Sequence, residues 1–115
     1  MIEPGEIYMA DLDVAGKHRI IVVSREELNR GNYVLGVVCT STRFAVRKTL
    51  ANCVPFHAEQ FGFTSDCVAQ CENMLSVHKN RLDLAGGPLA RLDNLTLRDV
   101  VKAIGYAMDS DCEPT

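Results

Sequence analysis

The sequence predicts an α+β fold, mainly β: a small twisted sheet or barrel followed by one C-terminal helix. Three observations lead there. Short runs rich in β-branched residues recur from residue 7 to residue 78, separated by turn-forming residues. A helical period then appears in Leu97, Val100, Val101, Ile104, Ala107 and Met108. The 115 residues, 47% of them apolar, suffice for one core but not for two. A single domain over residues 1–115 is the expectation.

The elements follow in order. Ile7–Leu12 reads as the first strand, and residues 13–17 as a turn in which Gly16 supplies a positive φ. His18–Ser24 is a second strand, apolar on both faces and therefore central. Residues 25–29 can form one helical turn before the Arg30-Gly31-Asn32 loop. Tyr33–Thr40 is the third strand, with Gly36 marking a bulge or bend. Residues 41–49 are polar and basic, a loop or an edge extension. Asn52–Phe56 is a short strand and residues 58–63 a turn or brief helix. Cys67–Glu72 and Met74–His78 read as two strands separated by Asn73, and Ala85-Gly86-Gly87-Pro88 ends any regular element. For the helix, Thr96 is the expected N-cap, Asp99 completes the capping box, and Leu95 and Val100 form the staple.

Composition excludes several classes. The longest apolar runs, such as Ile20-Ile21-Val22-Val23, are far short of the ~20 residues that a spanning helix needs. The first six residues lack the basic start and apolar stretch of a signal peptide, so a cytoplasmic protein without membrane partners is expected. Five cysteines, at 39, 53, 67, 71 and 112, do not suggest a disulfide framework. No C-x-x-C or H-x3-H pair occurs, and Cys67 and Cys71 on one strand would lie roughly 13 Å apart, so neither a metal nor another cofactor is expected. The cysteines read as small core residues.

Charge is uneven. The net charge of −3 argues against a general nucleic-acid coat, yet residues 17–48 carry seven basic residues against two acidic ones, a net +5. Such asymmetry can focus an anionic ligand on one face.

Four segments, in this order, resemble the MazF/PemK family of toxin ribonucleases from bacterial toxin–antitoxin pairs. Gly5-Glu6-Ile7-Tyr8-Met9-Ala10-Asp11-Leu12-Asp13 resembles that family's first strand, RGDIW-x-x-DLD. Arg19-Ile20-Ile21-Val22-Val23-Ser24 resembles its R-P-V-V-V-V-S strand, and Val37-Val38-Cys39-Thr40-Ser41 its V-P-x-T-S. The run from Cys71 to Leu82 resembles C-D-Q-x-R-T-x-D-x-x-R-L. The resemblance implies an SH3-like or CcdB-like small barrel with a C-terminal helix, a homodimer, metal-independent cutting of single-stranded RNA, and a cognate antitoxin protein that blocks the RNA groove. By motif, Arg19 and Thr40 align with the catalytic arginine and threonine, and Ser41 with a substrate-contacting serine. Glu72 falls where some PemK-type members carry a catalytic aspartate. The sequence departs from the pattern at Ile20, Gln70 and Leu75, and in the short loop at residues 14–17.

The chemistry gives each residue type a task. RNA can be cut through its own 2′-OH, provided that a cation steadies the phosphorane. The planar fork of Arg19 suits that task, and Thr40 offers a hydroxyl to a phosphate oxygen. His18 is a candidate substrate-binding residue or base, although on a regular strand it would face away from Arg19. Lys17 and Arg43 are candidate substrate contacts, and Arg47 and Lys48 can flank the groove. Phe44 can stack on a base or anchor its loop. Two other readings stay open on the same scaffold: a CcdB-like toxin that binds gyrase without a nuclease site, and a degenerate toxin fold retained as a regulator.

Overall fold

The computed structural model describes residues 1–108, so Cys112 lies outside the described residues. The chain forms strands β1 (Glu6–Asp11), β2 (Lys17–Val22) and β3 (Tyr33–Thr40), and a short helix α1 (Phe44–Arg47). Strands β4 (Cys53–Phe56), β5 (Cys67–His78) and β6 (Ala90–Arg91) follow, and then helix α2 (Asn94–Ala107). The six strands make one curled antiparallel sheet in the order β4-β5-β3-β2-β1-β6, a half-barrel with a C-terminal helix.

The apolar face-to-face character of β2 has its expected consequence. The strand lies between β1 and β3, and Ile20, Ile21 and Val22 are all fully buried. Ile21 joins Ile7, Val37, Phe56 and Val100 in a core on the α2 side. Ile20 and Val22 join Tyr8, Val34 and Val77 on the opposite face. Alternation of side chains along each strand thus feeds two cores from one sheet. A buried polar knot closes the second one. Asn29 donates to the carbonyls of Ile2 and Ser24 and accepts from the Ser24 hydroxyl, which satisfies its buried amide.

Several local expectations change. The two strands expected over 67–78 are one, β5. Its register against β3 shifts between Val37, opposite Met74, and Val38, opposite Gln70, so Cys71, Glu72 and Asn73 bulge out of the ladder. Gly36 is regular in the ladder. Its missing side chain makes room for Ile20 instead. The basic loop carries α1. The turn after residue 25 closes with a 3-10 segment at Leu28–Arg30. Helix α2 begins earlier than Thr96, because the Asp93 carboxylate accepts from the Thr96 amide and is the N-cap. Leu95 is consequently exposed rather than part of a staple. Strand β6 has only two residues and exists because Arg91 and Ala90 pair with Glu6 and Ile7. Gly16, by contrast, has the positive φ expected of it, +83°.

Candidate active site

The β2–β3 ladder reaches Ile20 opposite Val38 and goes no further, whereas β2 stays paired with β1 down to Lys17 opposite Asp11. The two strands splay beyond Ile20. The gap opens into a cavity of about 220 Å³, walled by Lys17, His18 and Arg19 of β2, the end of β3 at Cys39 and Thr40, and the following Ser41 and Thr42. Met9 forms part of the floor, and Phe63, Thr64, Ser65 and Cys67 form the facing wall. The splay is why His18 and Arg19, neighbours on a strand, both reach one space.

The lining has a clear chemical bias. It contains the cations Lys17 and Arg19, five hydroxyl side chains and no carboxylate. The Nε of Arg19 is buried without a hydrogen-bond partner. Among the described residues the ion pairs are His57–Asp66, Arg81–Asp13 and Arg91–Glu3, and none involves Arg19. The nearby thiols do not neutralise it. Burial pushes the Cys39 thiol well up, with the Cys67 and Cys71 thiols adding to the effect and Arg19 opposing it. Burial raises Cys67 to about 11 against the pull of Arg19. Both thiols therefore stay protonated near neutral pH. An unpaired guanidinium with a buried, unsatisfied donor is a strong attractor for an oxyanion.

Thr40 Oγ1 accepts from the Thr42 amide at 3.2 Å, which leaves its hydroxyl hydrogen free to donate elsewhere. His18 is tied to backbone: Nδ1 lies 3.2 Å from the Cys39 carbonyl and Nε2 lies 3.0 Å from the Ala15 carbonyl. The first contact bridges the splayed strands where the ladder has stopped. Neither ring nitrogen presents a lone pair to the cavity while these contacts hold.

The structure thus gathers Lys17, His18, Arg19, Thr40 and Ser41 around one cavity and leaves Arg43 and Glu72 out of its lining. Arg43 precedes α1 in the left-handed region, at φ +55°. Glu72 sits in the β5 bulge, where it accepts from Asn52 at 2.9 Å and from Gln70 at 3.0 Å. Burial pushes its carboxyl up, but hydrogen bonds from its own backbone, Gln70 and Asn52, with the charge of Arg47, outweigh this and hold it below the usual carboxylate range. Phe44 is half-buried, with the Lys48 ammonium 5.6 Å from its ring centre. The sequence reading missed the facing wall. Thr64 and Ser65 carry no local signal and reach the cavity only through the β3–β5 pairing.

No cluster of three His, Cys, Asp or Glu side chains able to hold a metal exists among the described residues. No helix among them is long and apolar enough to cross a membrane.

A search of curated proteins found no match. Among solved structures, a mycobacterial endoribonuclease in complex with its cognate antitoxin superposes with a TM-score of 0.76 at 23% identity, over 95% of this chain and 96% of that one. The Mycobacterium tuberculosis toxin MazF-mt6 gives 0.74 at 24% identity, over 90% and 96%. A MazE–MazF structure from Deinococcus radiodurans gives 0.72 at 18%, over 94% and 96%. These likenesses establish the fold. The family described as PemK-like, MazF-like toxin of type II toxin-antitoxin system matches residues 3–108. With nearly the whole chain matched, it belongs to the PemK-like, MazF-like toxins of type II toxin–antitoxin systems.

Proposed function

We propose that this toxin is a metal-independent, sequence-selective endoribonuclease acting on single-stranded RNA. The observation that carries the reading is Arg19, whose Nε is buried and unpartnered in a cavity shared with the Thr40 hydroxyl and free of carboxylates. In this mechanism the 2′-hydroxyl gives up its proton to solvent as its oxygen attacks the adjacent phosphorus, the P–O5′ bond breaks and the leaving O5′ takes up a proton from solvent, giving a 2′,3′-cyclic phosphate and a 5′-hydroxyl. Arg19 stabilises the negative charge that gathers on the phosphorane, and the Thr40 hydroxyl donates to one of its oxygens. Preorganised donors of this kind are each worth ~10²–10³ in rate. Lys17 and Ser41 hold the flanking phosphate, and His18 keeps the cavity wall in place. Arg43, outside the cavity, adds affinity for the RNA backbone without selecting bases.

The partners follow from the same reading. A cognate antitoxin protein masks the groove, which is supported by the likeness to structures described as toxin–antitoxin complexes. The working form is a homodimer in the cytoplasm. The test is incubation of the purified protein with a defined RNA in EDTA, with the product ends mapped. Cleavage at a fixed sequence that leaves cyclic phosphate ends is the expected result. Intact RNA, or cutting that appears only when a divalent metal is restored, rejects the proposal.

A further inference from the structure

Polar groups outside the cavity lead towards it in two hydrogen-bonded stretches, linked by charge alone. The first starts at the β5 bulge, where Asn52 and Gln70 donate to the two carboxylate oxygens of Glu72. The Cys71 amide donates to the Asn52 carbonyl at 3.0 Å, so the chain between the basic loop and β4 is fastened to the bulge twice. The charge of Arg47, on α1 within that loop, acts on Glu72 without a direct ion pair. The Arg47 guanidinium donates at 3.0 Å to the carbonyl of Thr42. The Thr42 amide in turn donates to Thr40 Oγ1. Arg47 therefore faces inward along its own loop rather than towards a ligand, and Thr42 lies between it and the candidate hydroxyl.

We propose that Arg47 is a positioning residue for Thr40, acting through Thr42, and that Glu72 anchors the loop on which Arg47 stands. Grip on the Thr42 carbonyl fixes the Thr42–Arg43 peptide and, through the Thr42 Cα, restrains the preceding Ser41–Thr42 peptide, which carries the Thr42 amide. With that peptide restrained, the Thr42 amide stays on Thr40 Oγ1, which occupies an acceptor site of the hydroxyl and turns its hydrogen towards the cavity. The loop needs such a clamp because Arg43, directly after Thr42, holds a left-handed conformation that an L side chain rarely adopts. The bonds are exposed, so they add little to global stability and act on local order. Glu72 then has a task although it lies outside the cavity.

The kinetic arm of this inference rests on the nuclease reading, and a second arm does not. In the first arm, Arg47→Gln and Glu72→Ala are compared with wild type on a defined RNA. The expected result is a kcat lower by about 10–100-fold, the scale of a displaced catalytic group. KM and its salt dependence stay unchanged, and Arg47→Lys, which still offers one donor, recovers part of the loss. A raised KM with a shallower salt dependence and an unchanged kcat means that Arg47 touches RNA directly, and overturns the proposal. In the second arm, hydrogen exchange of the Thr42 amide is followed by NMR in the same proteins without RNA. Faster exchange in Arg47→Gln and Glu72→Ala, with the β3 amides unaffected, supports the clamp. Unchanged exchange overturns it, whether or not the protein cuts RNA.

Discussion

Ile20 fills the space where a side chain on Gly36 would stand: a Cβ built there meets Ile20 Cδ1 at 2.6 Å and Ile20 Cβ at 3.2 Å. The two residues are on paired strands, and Ile20 is fully buried one residue from Arg19. Gly36 thus lets β2 and β3 close tightly beneath the point where they splay.

Gly36→Ala should therefore destabilise the fold by about 1–3 kcal/mol, the usual scale of overpacking. Ile20→Val removes the offending Cδ1, at a cost of roughly 0.5–1.5 kcal/mol by itself. The pair should be less harmful than the sum of the two, because both changes act on one contact. Urea unfolding of the four proteins measures this coupling, and strict additivity would contradict the packing role of the glycine.

A different balance governs Arg19. Its buried Nε lacks a partner, so the folded state bears a desolvation cost that the unfolded state does not. Arg19→Met keeps the apolar stem and removes the orphan donor. It should leave the protein as stable or more stable, by up to about 1–3 kcal/mol, while RNA cleavage falls by ~10²–10³ or more. Phosphate should raise the Tm of the wild type and not of the variant, since only a ligand bound to the folded state stabilises it. A large loss of stability in Arg19→Met would mean that the guanidinium holds the fold together rather than waiting for an anion.

Much of this architecture was legible because it is written locally. The β-branched runs of β2 and β3 and the helical period of α2 each lie within a short window. What was hidden depends on distant chain. Asn73 reads as a break between strands, yet β3 carries β5 straight past it by letting residues 71–73 bulge. Strand β6 has no pattern of its own and is induced by β1. Arg19 and Thr40 were legible from motif resemblance, but the wall at Thr64 and Ser65 was not, since tertiary pairing alone brings it there. The placing of Glu72 outside the cavity likewise depends on the bulge, which no local spacing encodes.

The helix cap shows how two local signals can compete. Asp93 and Thr96 each precede a plausible first turn, and the structure selects Asp93. Asp93→Ala should lower the Tm, whereas Thr96→Ala should change it little. Hydrogen bonds from the Thr96 amide and side chain hold the Asp93 carboxyl below its ordinary range. The unfolded state then binds the proton more readily, so the stabilisation is complete above the ordinary aspartate pKa of about 3.9 and is lost as pH falls through the folded value. Thermal melts from pH 6 to pH 3 should show a shallower acid slope in Asp93→Ala than in wild type. Equal slopes would return the cap to Thr96.

The thiol of Cys67 reports on the cavity from the alkaline side. Burial raises it from 9.0 to about 11, and the Arg19 guanidinium opposes that rise. The folded state holds this proton where the unfolded chain has begun to release it. The resulting stabilisation is therefore complete below pH 9 and is lost as pH rises towards 11. Unfolding measured between pH 8 and pH 10 should show stability falling with pH, and Cys67→Ser should flatten part of that slope because its hydroxyl does not titrate. Tyr8, which burial and its hydrogen bond to Glu6 push from 10.0 up to about 12, adds to the slope only at the top of this window, where the unfolded chain begins to release its proton. Removing the opposing charge with Arg19→Met should move the Cys67 titration to higher pH, visible as slower alkylation of that thiol at pH 10 followed by mass spectrometry. If alkylation at pH 10 is as fast in Arg19→Met as in wild type, the guanidinium and the thiol do not share the cavity.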